Sequence, residues 1–183
     1  MRALRRTTPR RDEILFVGRF AEHKNLQRLA QAFQQTTMHA RGGRLVLVGG
    51  SEAEVGGMSA WLDSHGLTGV DVRGVCSDPE LDALLAACRA VVQPSLEEGF
   101  GLPAVEAAAV GVQVAASRAG FAPELPADRV TFLDPLSEGS IAAAIDEAVA
   151  RPDAEAEWLP RSTVGQGVLR AVTEKLGAAP PKP

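Results

Sequence analysis

Short apolar runs alternate with segments of helical periodicity along most of the chain. Six runs dense in valine, leucine, isoleucine or alanine predict strands buried on both faces. They are 13–18, 44–49, 70–74, 90–94, 112–117 and 130–134. Helices are predicted between and after them, at about 25–36, 52–65, 79–88, 103–110 and 138–150. We expect Asn25 to cap the first helix, and Asp78 to cap the third with Pro79 at its first position.

This alternation predicts an α/β fold: a single Rossmann-like domain, in which a doubly wound parallel sheet of about six strands carries helices on both faces. We assign the domain to residues 13–177, including a last helical segment at about 162–176. Residues 1–12 are expected to form a disordered basic leader or linker, and 178–183 a disordered tail. Such domains bind ligands beyond the carboxyl ends of their strands, so we expect the functional residues just after strands.

Composition narrows the possible functions. Hydrophobic residues make up 45% of the 183 and charged residues 23%, which are globular values. Aromatic residues make up only 4%, and the net charge is −4 although residues 1–11 carry five arginines. Both observations argue against a nucleic-acid-binding surface. No signal peptide or membrane span is evident, and we expect a cytoplasmic protein whose Cys76 and Cys88 are ordinary reduced thiols.

The segment after the first strand, "VGRFAEHKN" at 17–25, lacks the Gly-x-Gly-x-x-Gly fingerprint of NAD-binding domains. It offers Gly18, Arg19 and Lys24 just before a predicted helix. Two cations beside free backbone N–H groups suit a diphosphate, because Arg binds phosphate bidentately and Lys acts as a point charge. The alternative interpretation is that both are surface charges.

The segment after the fourth strand, "SLEEGFGLPAVEA" at 95–107, is the second candidate. Gly99 and Gly101 allow the backbone to approach a ligand, and the N–H groups at about 101–104, Pro103 excepted, point out of a helix N-terminus toward a phosphate. Glu98 is placed to accept hydrogen bonds from sugar hydroxyls, and Glu106, expected in the first helical turn, from a ribose. The alternatives are a solvated loop carboxylate for Glu98 and a helix-dipole partner for Glu106.

Seven residues, "GFGLPAV", separate Glu98 from Glu106. This spacing resembles the Glu-x7-Glu motif of retaining, family-four GT-B glycosyltransferases. The resemblance extends over 13–134, through "ILFVGRFAEHKNLQRLAQAF", "LVLVGG" and "VDVRGVCSDPELDALLAACRAVVQPSLEEGFGLPAVEAAAVGVQVAASRAGFAPEL" to "VTFLDP". It implies one half of a GT-B fold, namely the C-terminal domain that holds the nucleotide-sugar donor. The family's N-terminal, acceptor-binding domain is not matched, so we expect that domain or a partner to complete the enzyme.

The resemblance also implies roles for individual residues. Arg19 and Lys24 would hold the diphosphate and neutralise it as it leaves, and Glu98 would bind the donated sugar; these three are the candidate catalytic residues. The candidate binding residues are Gly18, Val75, Cys76, Gly99, Phe100, Gly101, Leu102 and Glu106. Among them, Val75 and Cys76 would contact the base, Gly99, Phe100 and Gly101 would shape the sugar pocket, Leu102 N–H would contact phosphate, and Glu106 the ribose.

The resemblance implies front-face transfer in which the leaving phosphate helps to deprotonate the acceptor, so the glutamates would position substrate. No cofactor or metal is expected, because the two cations do a metal's work on the diphosphate. Two positions depart from the family pattern: Gln113 where proline is common, and Phe121 in place of a loop glycine. The sequence leaves open a non-catalytic interaction module as the alternative, and a homodimer formed through an exposed cleft face.

Overall fold

The computed structural model describes residues 5, 7–120 and 122–152. Six strands are present: β1 (Glu13–Val17), β2 (Arg44–Gly50), β3 (Val70–Gly74), β4 (Ala90–Gln93), β5 (Gln113–Ala116) and β6 (Val130–Phe132). The α-helices of the described domain are α1 (Leu26–Phe33), α2 (Thr37–Ala40), α3 (Glu52–Ser64), α4 (Asp78–Ala87), α5 (Leu102–Ala109) and α6 (Glu138–Ala150). Two 3-10 helices, Glu22–Lys24 and Ala122–Glu124, follow β1 and β5.

All six strands are parallel and pair in the order β3-β2-β1-β4-β5-β6. The predicted doubly wound α/β fold is therefore confirmed. The order reverses between β1 and β4, where the chain leaves β1 toward one face of the sheet and β4 toward the other. Divergent connections open a crevice at the carboxyl ends of these two strands, which is where ligands bind in this class of fold.

Alternating residues of the central strands supply two separate hydrophobic cores. Ile14 and Phe16 of β1 pack in the core beneath α1, α3 and α6, whereas Leu15 between them packs in the core beneath α4 and α5. The same alternation continues along β2. Because successive side chains of a strand point to opposite faces, an uninterrupted apolar run is what a sheet covered on both sides requires.

The ends of two helices differ from the prediction. Asn25 occupies the N-cap position of α1, as predicted, but has a left-handed backbone (φ 62°) and makes no side-chain cap hydrogen bond. Helix α4 is capped by Ser77, one residue before the expected Asp78, because the Glu80 carboxylate accepts from the Ser77 amide at 2.8 Å and its hydroxyl at 2.6 Å. Helix α1 ends early because Thr36 caps α2, accepting from His39 N at 3.0 Å.

The described part of the predicted basic leader, residues 5 and 7–12, makes contacts with the domain. The Arg5 side chain is buried, and its Nη1 donates to Leu85 O at 2.9 Å and Cys88 O at 3.2 Å. Arg10 Nη1 donates to Ala86 O at 2.6 Å. Carbonyls at a helix C-terminus lack intrahelical partners and carry partial negative charge, so arginines are suitable donors for the end of α4.

Both cysteines are free thiols. Burial raises the pKa of the Cys88 thiol to about 12.

Gln113, one of the two departures from the family pattern, begins β5 at the amino edge of the sheet. Its Nε2 donates to Pro152 O at 2.8 Å, so this residue lies away from the crevice. Phe121, the predicted helix at 162–176 and the predicted tail lie outside the described residues. In the part of the chain that is described, no helix is long and apolar enough to span a bilayer.

Candidate functional site

The segment after β1 turns sharply before α1 begins. The 3-10 helix Glu22–Lys24 ends at Asn25, whose left-handed backbone lets the chain enter α1. Asn25 is buried and its Nδ2 donates to Pro94 O at 3.2 Å and to Pro135 O at 2.7 Å. These bonds tie the segment after β1 to those after β4 and β6. They fix the position of Lys24, the residue just before Asn25.

The segment after β4 lies directly against the segment after β1. Leu96 N donates to His23 O at 2.8 Å, so the two backbones are joined. The Glu98 carboxylate accepts from Lys24 Nζ at 2.5 Å and from Ser95 Oγ at 3.1 Å. The Lys24 and Glu98 side chains are only 14% and 15% exposed. The structure therefore brings together two of the three candidate catalytic side chains, as a shielded ion pair.

Further hydrogen bonds between the ends of neighbouring strands support this arrangement. Ser117 Oγ, at the end of β5, donates to Ser95 O at 2.6 Å, and both serines are buried. Gln93 Nε2 donates to Val17 O at 2.9 Å and links the ends of β4 and β1. Ser95 lies within the motif and was open to prediction from its position, whereas the role of Ser117 depends on strand pairing that a single sequence does not reveal.

Helix α5 starts immediately beside the ion pair. Gly101 precedes it with a left-handed backbone (φ 82°) and supplies no side-chain cap. Gly101 O accepts from the N–H groups of Ala104 and Val105. Among the described residues, the N–H groups of Gly101 and Leu102 donate to no backbone acceptor. N–H groups without a partner at a helix N-terminus are the groups that bind phosphate in such sites.

Glu106 is the fifth residue of α5, so it lies in the second turn and not, as expected, in the first. Its side chain is half-buried. The helix dipole acts mainly within the first turn, so this position weakens the interpretation of Glu106 as a dipole partner. Glu106 lies four residues from Leu102 and hence on the same face of the helix.

The other candidate residues are spread along the carboxyl edge. Arg19 is exposed and lies near Glu54 of α3. Hydrogen bonds from the Ser51 backbone and side chain, and then the charge of Arg19, lower the pKa of the Glu54 carboxyl.

The remaining candidates lie after β1, β3 and β4. Val75, after β3, is 81% exposed, whereas Cys76 packs against the core beneath α4 and α5. Gly18 N donates to Val48 O at 2.9 Å. Gly99 and Phe100 belong to the same turn as Glu98.

The exposed large hydrophobic residues of the described chain all follow carboxyl ends of strands. They are Val75 after β3, Leu96 and Leu102 after β4, and Leu136 after β6. Beside them, a groove of about 660 Å³ opens between the first turn of α1 and residues 54–61 of α3, with Phe20, Glu54 and Trp61 among its lining residues. The sequence pattern did not predict this groove, because it depends on how the two helices pack.

The fold and the crevice together define a class of protein. It is an α/β domain that carries a shielded lysine–glutamate pair beside a helix N-terminus without a side-chain cap, at the point where the strand order reverses. The family model of glycosyl transferases group 1 matches residues 5–162, and the chain belongs to this family.

Curated relatives agree with this assignment. The chain is 33% identical over 133 residues to O-antigen chain mannosyltransferase B of Escherichia coli, covering 72% of this chain and 35% of that protein. It is 32% identical over 148 residues to lipopolysaccharide 1,2-N-acetylglucosaminetransferase of Salmonella typhimurium, covering 75% and 39%. The chain thus spans well under half the length of these relatives.

Solved glycosyltransferase structures share the fold. Sucrose-phosphate synthase from Thermosynechococcus elongatus superposes with a TM-score of 0.68 at 27% identity, over 96% of this chain and 46% of that one. Anabaena HepE, solved in complex with UDP and glucose, superposes with a TM-score of 0.66 at 22% identity, over 91% and 48%. The predicted match to one half of a GT-B fold is therefore confirmed.

Proposed function

We propose that this chain binds the nucleotide-sugar donor of a retaining glycosyltransferase that transfers a hexosyl group. The observation that carries the proposal is the meeting of Lys24 and Glu98 at the β1–β4 switch point, beside the N-terminus of α5. A lysine and unpartnered helix N–H groups suit a diphosphate, and an adjacent carboxylate suits sugar hydroxyls. One crevice thus offers complementary groups for both parts of a sugar diphosphate.

In this proposal the diphosphate lies between Lys24 and the first turn of α5. The ammonium supplies positive charge, and the N–H groups of Gly101 and Leu102 supply hydrogen bonds. Charge that builds up on the leaving diphosphate is stabilised by these groups, which are already in place before reaction. Arg19 approaches from the segment after β1 and adds a second cation. No metal is assigned to the site.

The sugar and the nucleoside take opposite sides of the diphosphate. Glu98 accepts hydrogen bonds from hydroxyls of the transferred sugar, in a pocket shaped by the backbone of Gly99 and Phe100. The ribose lies against Glu106 on the exposed face of α5. Val75 and Cys76 after β3 contact the base mainly through their backbone, so they identify no particular base.

Acceptor binding requires surface beyond this domain. The apolar side chains exposed after β3, β4 and β6 border the crevice from several sides, and we assign them to an interface with an acceptor-binding domain or a second chain. The groups proposed to hold the donor belong to this domain. None of the described helices or strands covers the crevice from the opposite side. We therefore expect the isolated chain to bind donors and to show at most slow donor hydrolysis.

The test is a calorimetric titration of the purified chain with UDP, GDP, ADP and their hexose conjugates. Saturable binding of at least one nucleotide is expected, weakened about tenfold or more by Lys24→Ala, which removes a charged partner of the phosphates. Glu106→Ala should also weaken it. Arg44→Ala is the matched control, because it removes an exposed cation at the opposite, amino edge of the sheet. Absence of binding at millimolar ligand would instead indicate a non-catalytic interaction module.

A further inference from the structure

The two side chains that the proposed function assigns to opposite parts of the donor bind each other in this structure. Lys24 Nζ and Glu98 Oε2 are 2.5 Å apart, and about 85% of each side chain is covered. The positive charge intended for the diphosphate is therefore already neutralised. A ligand that takes Lys24 has to compete with a carboxylate for it.

Glu98 is held in place independently of Lys24. Ser95 Oγ donates to the same carboxylate oxygen at 3.1 Å. A Cβ added at Gly120 would lie 2.9 Å from Glu98 Cγ, and one added at Gly101 would lie 3.4 Å from it. The Glu98 side chain thus packs tightly against Gly120, where a larger residue has no room, and lies at ordinary contact distance from Gly101. The carboxylate therefore remains beside the phosphate position when a ligand engages Lys24.

A shielded carboxylate without a cation is energetically costly, because little water reaches it and the attraction that compensated its burial is gone. Lysine has three N–H donors and is able to contact a phosphate and a carboxylate together. Even then, the carboxylate and the phosphate oxygens repel each other at short range. A ligand that supplies hydrogen-bond donors to Glu98 offsets this cost, and a sugar carries such donors as hydroxyl groups.

We propose that the Lys24–Glu98 pair makes the site select a sugar-bearing nucleoside diphosphate over the bare diphosphate; this inference rests on the proposed function. The sugar-bearing ligand satisfies both members of the pair, its diphosphate binding Lys24 and its hydroxyls binding Glu98. The bare diphosphate satisfies Lys24 alone and leaves Glu98 as an opposing charge. After transfer, the same opposition favours release of the product diphosphate.

The test compares Glu98→Gln with the wild-type chain by calorimetry, using UDP, GDP, ADP, UDP-glucose, GDP-mannose and inorganic pyrophosphate. Glu98→Gln keeps the shape of the side chain and removes its charge. We expect bare diphosphates and pyrophosphate to bind about tenfold more tightly, as for loss of one close opposing charge, while the sugar-bearing ligand gains nothing or weakens. Glu97→Gln is the matched control, because it removes an exposed carboxylate one residue away.

A purely structural role for Glu98 does not produce tighter binding of bare diphosphates without tighter binding of the sugar-bearing ligand. The inference is overturned if Glu98→Gln and Glu97→Gln change the affinity for bare diphosphates equally, while the wild type still binds sugar nucleotides. If the wild type binds none of the six ligands at millimolar concentration, the proposed function itself fails. If Glu98→Gln folds poorly, Glu98→Asp is the second variant. It retains the charge but moves the carboxylate away from Lys24, and we expect a smaller change in the affinity for bare diphosphates, in the same direction.

Discussion

Two kinds of helix N-terminus lie along the carboxyl edge of this sheet. Helices α3 and α4 begin with capping boxes, in which Ser51 pairs with Glu54 and Ser77 with Glu80. Helices α1 and α5, which flank the crevice, begin after residues with a left-handed backbone, Asn25 and Gly101, and have no side-chain cap.

The difference has a physical meaning. A capping box satisfies N–H groups of the first turn with side chains of the same helix. Each left-handed residue directs the chain into its helix but supplies no side-chain acceptor, so N–H groups at the very start of the helix stay available to a ligand. In α3 and α4, away from the switch point, side chains satisfy first-turn N–H groups and stabilise the helix. In α1 and α5, beside the switch point, no side chain caps the helix. The following predictions test this contrast, beginning with the largest expected effect.

Asn25→Ala should lower the free energy of unfolding by about 3 kcal/mol, combining left-handed strain at a residue with a Cβ and the loss of three side-chain hydrogen bonds. Nδ2 donates to Pro94 O and Pro135 O, and Oδ1 accepts from Arg28 Nη1. Asn25→Gly accepts the backbone geometry and should lose only the hydrogen bonds, about 1–2 kcal/mol. Urea unfolding of both variants measures the difference. Equal losses would show that backbone strain contributes nothing at this position.

Gly101→Ala should lower the free energy of unfolding by about 1–2 kcal/mol, because alanine is strained at φ 82°. Gly101→Asn should be tolerated better, since asparagine adopts this conformation at position 25. Gly99→Ala is the control in the same turn: its backbone is not left-handed, and an added Cβ meets nothing within 4 Å. A Gly99→Ala loss as large as that of Gly101→Ala would contradict the assignment of Gly101 as the residue that opens α5.

Ser77→Ala should cost about 1 kcal/mol of stability, the usual value for loss of an N-cap. Nucleotide affinity should be unchanged, because Ser77 and Glu80 cap the N-terminus of α4 and no ligand is assigned to it. Unfolding and titration of the same preparation separate the two effects. A loss of nucleotide binding without a loss of stability would place the N-terminus of α4 in the ligand site and remove the contrast between the two kinds of helix.

The capping boxes should also give stability a weak dependence on pH. Hydrogen bonds from the Ser77 side chain and backbone lower the pKa of Glu80, and those from the Ser51 backbone and side chain lower that of Glu54. A carboxyl with a lowered folded-state pKa contributes stability above its unfolded value of 4.5, and this contribution is lost as pH falls below it.

The measurement is the urea midpoint between pH 6 and pH 3. Glu80→Gln should flatten the decrease relative to wild type, and Glu147→Gln, at an exposed position near the end of α6, serves as a matched carboxylate control. An unchanged slope for Glu80→Gln would show that the box at α4 makes no contribution to acid sensitivity.

The sequence pattern predicted the fold closely. All six strands and the five main helices of the described region appear within a few residues of their predicted positions, because a two-sided parallel sheet needs uninterrupted apolar runs separated by amphipathic helices. It also indicated Lys24 and Glu98 as residues after β1 and β4. It placed Asn25 correctly at the N-cap position of α1 but did not reveal the left-handed backbone there or the missing side-chain cap.

What the sequence determined by itself was therefore local: which segments form strands and helices, and which polar residues follow the strands. The tertiary structure decided which of these residues meet. Strand order placed the segments after β1 and β4 side by side, joined Lys24 to Glu98 through space and seated Glu98 against Gly101 and Gly120. The reason is that periodicity is set over a few neighbouring residues, whereas the Lys24–Glu98 contact joins residues 74 positions apart and depends on how the whole sheet is assembled.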